Sequence, residues 1–319
     1  MRKTRRRRRG VYIPPMLWIL LVLAAALLLV VCFFLRDKDG GTGERNTTGT
    51  TGAVGVRDRG EARAGRLVQL GADAIYTGDL ILVNNQILYH FPEEQPLTCI
   101  FDGKSDSYYV RDKEVFLAPA ALEALNEMMD AFQAQGGSKT VNVVAGYRTE
   151  ELQQHLFDQS ARQNGEDHAQ RFVAHPGGSE HHTGLVVDFS LFYADGSSGE
   201  YTGTGEYAWI NSHCQDYGWV VRYDPAKEAR TGIGDEPWHF RYVGVPHAVV
   251  MVEENLCLEE YIDYLREYPY DGQHLTVACK TGTYEIWYCA GTEAYLPEEG
   301  EYTVSGNNVD GVVVTYKIE

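Results

Sequence analysis

Residues 16–35 are twenty consecutive positions without a charge, dominated by Leu, Val, Ala and Phe, and they follow an arginine-rich start. At 1.5 Å per residue such a helix covers about 30 Å, the thickness of a bilayer core. The sequence therefore predicts a membrane-spanning helix at 16–35. Basic residues stay on the cytoplasmic side, which makes 1–15 a cytoplasmic tail and places everything after residue 35 outside the cell. A cleavable signal peptide would carry a shorter apolar region, roughly 7–15 residues, and a small-residue cleavage site. Here Val31 is followed by Cys32, Phe33, Phe34, Leu35 and Arg36. The expectation is an uncleaved, single-pass anchor in the cell membrane, with the remaining chain extracellular.

The charge is divided just as sharply. Residues 1–36 hold eight of the 28 Lys and Arg and no Asp or Glu, so the rest carries 20 basic against 45 acidic residues, a formal charge of −25. Such a body lacks the basic face that nucleic acid requires, so no nucleic-acid partner is expected. Residues 36–66 are rich in Gly, Thr and charge and poor in large apolar side chains, and read as a flexible linker. Five cysteines lie beyond the apolar run, with no CxxC pair to suggest a cysteine-based metal site. Cys279 and Cys289 flank an expected hairpin, where a disulfide competes with a reading as small buried residues.

Order is expected from residue 67, with one domain over 67–250. A short apolar run at 79–85 suggests a strand. From 119 to 135, Leu122, Leu125, Met129 and Phe132 share a helical face, Pro119 suits a first turn, and Gly136 and Gly137 end the pattern. A strand is expected at 141–145, then a helix capped by Thr149 with Glu150 and Glu151 in its first turn. Strands at 185–189, 219–223 and 240–243 surround a helix at 207–217. Beyond 250 come a helix marked by Leu258, Tyr261, Ile262 and Leu265 and strands at 275–279, 284–288 and 312–318. Residues 251–319 thus form an appended β-module or a further layer on the main domain, with no constellation assignable to chemistry. Without a regular βαβ repeat, the fold class is α+β with a mainly antiparallel sheet and flanking helices.

One constellation carries chemistry. His181 and Asp188 lie seven residues apart, and Asp188 sits in an apolar strand, where an unpaired carboxylate is costly. His239 follows 51 residues later, preceded by Glu236. Two histidines and one carboxylate make a three-ligand set that leaves a fourth position open, the pattern of catalytic zinc. Each piece has a plainer reading: Asp188 pairing with an arginine, a loop histidine, a chance Glu-x-x-His.

Together they resemble a known family. Ser179-x-His181-x-x-Gly184-x-Val186-x-Asp188 and Glu236-x-Trp238-His239-x-Arg241-Tyr242-Val243-Gly244 are similar to the two signatures of the VanY-type D-alanyl-D-alanine carboxypeptidases. Gly146-Tyr147-Arg148-Thr149 followed by Gln153 resembles that family's arginine motif. The similarity runs from about 79 to 244. Val186 stands where alanine is usual and Thr149 where serine is common. The resemblance implies the D,D-peptidase, hedgehog-like zinc peptidase fold. It implies His181, Asp188 and His239 as Zn²⁺ ligands, Glu236 as catalytic base and Arg148 as the catalytic and substrate-binding arginine. Gln153, Ser179, Tyr223 and Trp238 fall at substrate-lining positions, and His182 at pocket wall or surface.

Zinc lowers the pKa of bound water from 15.7 to about 7. Glu236 would take the proton and pass it to the departing amine. A guanidinium such as Arg148 can grip both oxygens of a terminal carboxylate, as an exopeptidase requires. The expected partners are peptidoglycan stem peptides or their lipid-linked precursor, with the terminal D-Ala of a pentapeptide stem removed. An L,D-carboxypeptidase acting on tetrapeptide stems and a non-catalytic wall-binding module are the alternatives.

Overall fold

The computed structural model describes residues 53–58 and 65–318. The expected cytoplasmic tail and membrane helix lie outside the described residues. Among the described residues no helix is long and apolar enough to cross a membrane.

The architecture is α+β, built on two antiparallel-rich sheets. In chain order the strands are β1 (Ala53–Asp58), β2 (Gly65–Gln69), β3 (Thr98–Cys99), β4 (Tyr109–Val110) and β5 (Phe116–Leu117). Next come β6 (Val141–Ala145), β7 (Val186–Phe192), β8 (Ser198–Glu200), β9 (Trp219–Tyr223) and β10 (Glu236–Tyr242). The last five are β11 (Gln273–Cys279), β12 (Gly282–Ala290), β13 (Glu293–Pro297), β14 (Tyr302–Gly306) and β15 (Gly311–Lys317). The first sheet runs β4-β6-β7-β10-β9 with β8 on β7, and only the β4–β6 pairing is parallel. The second runs β1-β11-β12-β15-β14.

Helix Pro119–Ala134 begins at the expected proline and buries Leu122, Leu125, Met128, Met129 and Phe132. It packs on one face of the first sheet, against Val141, Val143, Val187, Phe189 and Phe240. Since side chains alternate along a strand, Asp188 and His239 fall on the opposite face. Helix Glu150–Asn164 starts at Thr149, whose hydroxyl accepts from the Leu152 amide at 3.2 Å, and buries only Gln153. It is held at its base and forms a wall rather than a core element.

Three expectations are corrected. Residues 79–85 form no strand and run from a turn at 79–80 to a bend at 84–85. Leu80 and Leu82 enter one core, Ile81 and Val83 the other. Their backbone groups are met by the Ser305 hydroxyl, the Asn307 carbonyl, the Asn308 amide and the Arg241 guanidinium. A short apolar run alone looks like a strand; here side chains and loops replace the ladder.

The linker expected over 36–66 contains β1 at 53–58, an edge strand on β11, and the start of β2, which pairs with β13. Edge pairing uses backbone groups, so it needs none of the large apolar side chains whose scarcity suggested a tether. Finally, the boundary at 250/251 separates nothing. Leu80, Val220 and Val243 share a core with Leu258, Tyr261, Ile262, Leu275, Ile286 and Val313. Residues 251–319 are therefore a layer of the domain. Cys279 and Cys289 stand at opposite ends of β12's neighbourhood, facing Gly282 and Val312, and the five described cysteines are all free thiols.

Candidate active site

Strand register brings the distant motifs together. On the β7–β10 ladder His239 is paired directly with Asp188, and on β6–β7 Asp188 is paired with Ala145. On β9–β10 Glu236 is paired with Tyr223. Both outer ladders slip register at this point, between Val143 and Ala145 and between Glu236 and Phe240. Such irregularities re-aim side chains, and sites are built beside them.

His181 lies in the 3₁₀ turn Glu180–Thr183, which closes on Gly184 in the left-handed region at φ 69°. A Cβ there would stand 2.7 Å from Leu97, so glycine is needed on both counts. The Gly146 carbonyl accepts from His181 Nδ1 at 2.6 Å. A carbonyl can only accept, so the proton is on Nδ1 and Nε2 presents its lone pair. That lone pair faces Asp188 Oδ2 at 3.2 Å. Burial, aided by Arg148, lowers the His181 pKa to about 4. Burial pushes Asp188 upward, but its neighbours, His181 first, hold it well below the usual carboxylate range. Two unprotonated acceptors thus confront each other in a buried place.

His239 completes the group, with Nδ1 3.0 Å from Asp188 Oδ1 and its ring 5.1 Å from that of His181. One ligand atom from each of His181, Asp188 and His239 lies within 4.8 Å of the others. The donor set suits a divalent cation such as zinc, and a cation would resolve the confrontation of lone pairs. Burial lowers the His239 pKa, but the carboxylates of Asp188 and Glu180 beside it outweigh burial and raise it to about 9.

Glu236 stands just outside this group, its Oε2 3.7 Å from His239 Nδ1. Burial pushes its pKa up to about 7, the range of a general base. Arg148 donates Nη2 to Asp188 Oδ2 at 2.7 Å and Nη1 to Gln153 Oε1 at 3.4 Å. The nine residues expected to act as ligands, base or substrate contacts all line one open cleft of about 610 Å³.

Their parts differ. Gln153 is almost fully buried, and its Nε2 donates to the Ala174 carbonyl at 2.8 Å. It therefore braces Arg148 against the loop after the wall helix. Tyr223 packs its ring 4.9 Å from that of His239. Ser179 and Trp238 line the cleft directly. His182 is neither pocket wall nor surface: it is fully buried, donates Nδ1 to the Arg148 carbonyl and accepts the Gly177 amide on Nε2. It fixes the loop that carries Arg148.

Sequence reading missed Glu180, wholly buried against Arg222 and Arg241. The signal was available, since both arginines sit in apolar strands and buried charges need partners. It also missed the outer wall formed by Gln159, Gln163, His168 and Phe172.

The family model for VanY, D-alanyl-D-alanine carboxypeptidase, matches residues 114–245, which hold every one of these motifs. A D-alanyl-D-alanine carboxypeptidase of Enterococcus faecium is 31% identical over 251 residues, 76% of this chain and 76% of that one. The chain belongs to the VanY-type D-alanyl-D-alanine carboxypeptidase family. The family is one of carboxypeptidases, and so of hydrolases. The bifunctional D-Ala-D-Ala dipeptidase and carboxypeptidase VanXYC of Enterococcus gallinarum is 36% identical over 159 residues, 49% of this chain and 82% of that one. In three dimensions the chain is similar to the vancomycin-resistance D,D-dipeptidase VanXYg, solved with a D-Ala-D-Ala phosphinate analog. That match has a TM-score of 0.70 at 32% identity and covers 79% of this chain and 98% of the other.

Proposed function

We propose that this protein is a zinc D,D-carboxypeptidase that removes the terminal D-Ala from peptidoglycan stem pentapeptides. The observation that carries the reading is the convergence of His181, Asp188 and His239 within one cleft that also holds Arg148 and Glu236. Bound zinc would supply Lewis-acid activation of the scissile carbonyl and of water. The protein's own groups do the rest. Arg148, braced by Asp188 and Gln153, receives the substrate's terminal carboxylate on its remaining donors, which selects a chain end over an internal bond. Glu236 takes the proton of the attacking water and delivers it to the departing amine. Its enclosure, which favours the neutral acid, keeps the proton transferable in both directions near neutral pH.

The apolar run at 16–35 and the arginines before it support a single-pass anchor with the catalytic domain outside the membrane, facing stem peptides or their lipid-linked precursor. Retention in the membrane pellet after carbonate extraction tests the anchor; release into the supernatant counts against it.

Because β1 and β2 belong to the domain, activity is tested on the full chain, purified with detergent. Pentapeptide stem, tetrapeptide stem and the D-Ala-D-Ala dipeptide are each incubated with and without a chelator. D-Ala release is expected from the pentapeptide, abolished by chelation and restored by zinc. Glu236→Gln is expected to lower the rate by roughly 10²–10⁴. Activity surviving complete metal removal sinks the mechanism, and release from the tetrapeptide alone replaces the D,D reading with an L,D one.

A further inference from the structure

Residues 251–319 show no chemistry in the sequence, yet one of them reaches the ligand group through two ion pairs and a contact to His239. Glu259 stands in the first turn of helix Leu258–Leu265, buried at the edge of the second core. Its carboxylate receives the fork of Arg222, Nη1 on Oε2 at 2.9 Å and Nη2 on Oε1 at 2.8 Å. Asn84 adds a bond to Oε1 at 3.3 Å. Arg222, from β9, donates Nε to Glu180 Oε1 at 2.8 Å. The other oxygen of Glu180 faces His239 Nε2 at 3.4 Å, and neither buried atom has another hydrogen-bond partner, the pair itself falling short of hydrogen-bond geometry. Arg241 completes the cluster, with Nη1 on Glu180 Oε1 at 3.1 Å and Nη2 on the Asp79 and Ile81 carbonyls.

These four side chains carry two negative and two positive charges, and none is more than 6% exposed. A neutral quartet shut away from water is a costly arrangement to keep for stability alone, since apolar replacements of the same volume often serve as well. Its position supplies another reason. His239 Nδ1 is the nitrogen aimed at Asp188, so it must be free of its proton to bind a cation. The proton must then stand on Nε2, where the acceptor within reach is Glu180 Oε2. Carboxylates behind ligand histidines fix tautomer and ring orientation in this way. Glu180 can hold that direction only while its other oxygen is pinned, and Arg222 and Arg241 both pin it. Arg222 in turn is held square by the bidentate grip of Glu259.

We infer that Glu259, Arg222 and Glu180 form a positioning relay through which the C-terminal layer orients His239 toward the metal. This deepens the zinc reading and rests on it. The layer is then part of the site's construction rather than an attachment, and a change at Glu259 is felt at the ligand group.

The test measures zinc affinity of the full chain by competition with a chromophoric chelator, with the absorption spectrum of the cobalt-substituted protein as a second readout. Glu180→Gln is expected to weaken zinc binding by roughly 10- to 100-fold. Glu259→Gln is expected to weaken it several-fold alone and to add nothing in the Glu180→Gln background. Arg222→Lys keeps the charge but cannot span both acids, and is expected to match Glu259→Gln should Glu180→Gln fail to fold. Tyr261→Phe, on the same helix and bonded only to His247, serves as the control and is expected to leave zinc affinity and the cobalt spectrum unchanged. Glu259→Gln within twofold of wild type, effects that simply add, or an equal loss in Tyr261→Phe would each overturn the relay. A wild-type chain that binds no zinc sinks the zinc reading itself.

Discussion

Acid should loosen the C-terminal layer through one histidine. His247, in helix Val245–Glu253, meets the Tyr261 hydroxyl at 2.7 Å on Nδ1 and the Thr315 hydroxyl at 2.9 Å on Nε2. Either hydroxyl can donate or accept, so the neutral ring is fully satisfied. Burial lowers its pKa from 6.5 to about 3. The unfolded chain therefore takes up this proton before the folded one does. The stabilising contribution is complete above pH 6.5 and declines as pH falls toward 3. By proton linkage the loss is about 2 kcal/mol at pH 5 and roughly 4–5 kcal/mol near pH 3. The assay is urea unfolding of the metal-free chain at pH 7 and pH 5, for wild type and His247→Gln. Glutamine keeps hydrogen-bonding capacity but does not titrate, and every other ionisable group is common to both proteins. Between pH 7 and pH 5 the wild type should lose about 2 kcal/mol more than the variant. Equal losses, to within roughly 0.5 kcal/mol, would refute the assignment of the proton to this ring.

Three other outcomes follow from the geometry. In Gly146→Ala the new Cβ would stand 2.3 Å from the Phe116 carbonyl oxygen, so the end of β6 must move and carry with it the carbonyl that holds His181. Zinc affinity should fall at least about tenfold, as for other lost supports of ligand histidines, and an unchanged chelator competition would show the close approach to be dispensable. Gln153→Leu removes the brace between Arg148 and Ala174; a lost bond to a charged group predicts roughly a tenfold higher KM for carboxylate-ended substrates with kcat less affected, and an unaltered KM would count against it. Stripping the metal should lower the thermal midpoint, because zinc at a thousandfold above its Kd stabilises by about 4 kcal/mol, on the order of 10 °C for a domain of this size. Identical melting curves with and without chelator would rule out binding to the folded state.

Much of this was legible because it is local. The 3.6-residue period of Leu122, Leu125, Met129 and Phe132 marks helix Pro119–Ala134 without help from the rest of the chain. Thr149 before two glutamates marks the next helix, and the span of β9 was readable to the residue. The three motifs named the ligand candidates because metal chemistry restricts which side chains can serve. What only the tertiary structure decided is which distant residues meet. The run at 79–85 is apolar like a buried strand, but whether an edge is free to pair with it is settled elsewhere in the chain. Here Ser305, Asn307, Asn308 and Arg241 reach its backbone first. Ala53–Asp58 shows the converse, gaining strand pairing from β11 despite a composition that argued for a tether. The same holds for charge. A sequence shows that Arg222 and Arg241 lie in apolar strands and must find acids, but not that both find Glu180, nor that Glu259 closes the circuit from a layer 37 positions further on. Periodicity and caps depend on neighbours along the chain, whereas buried charges and strand register depend on neighbours in space.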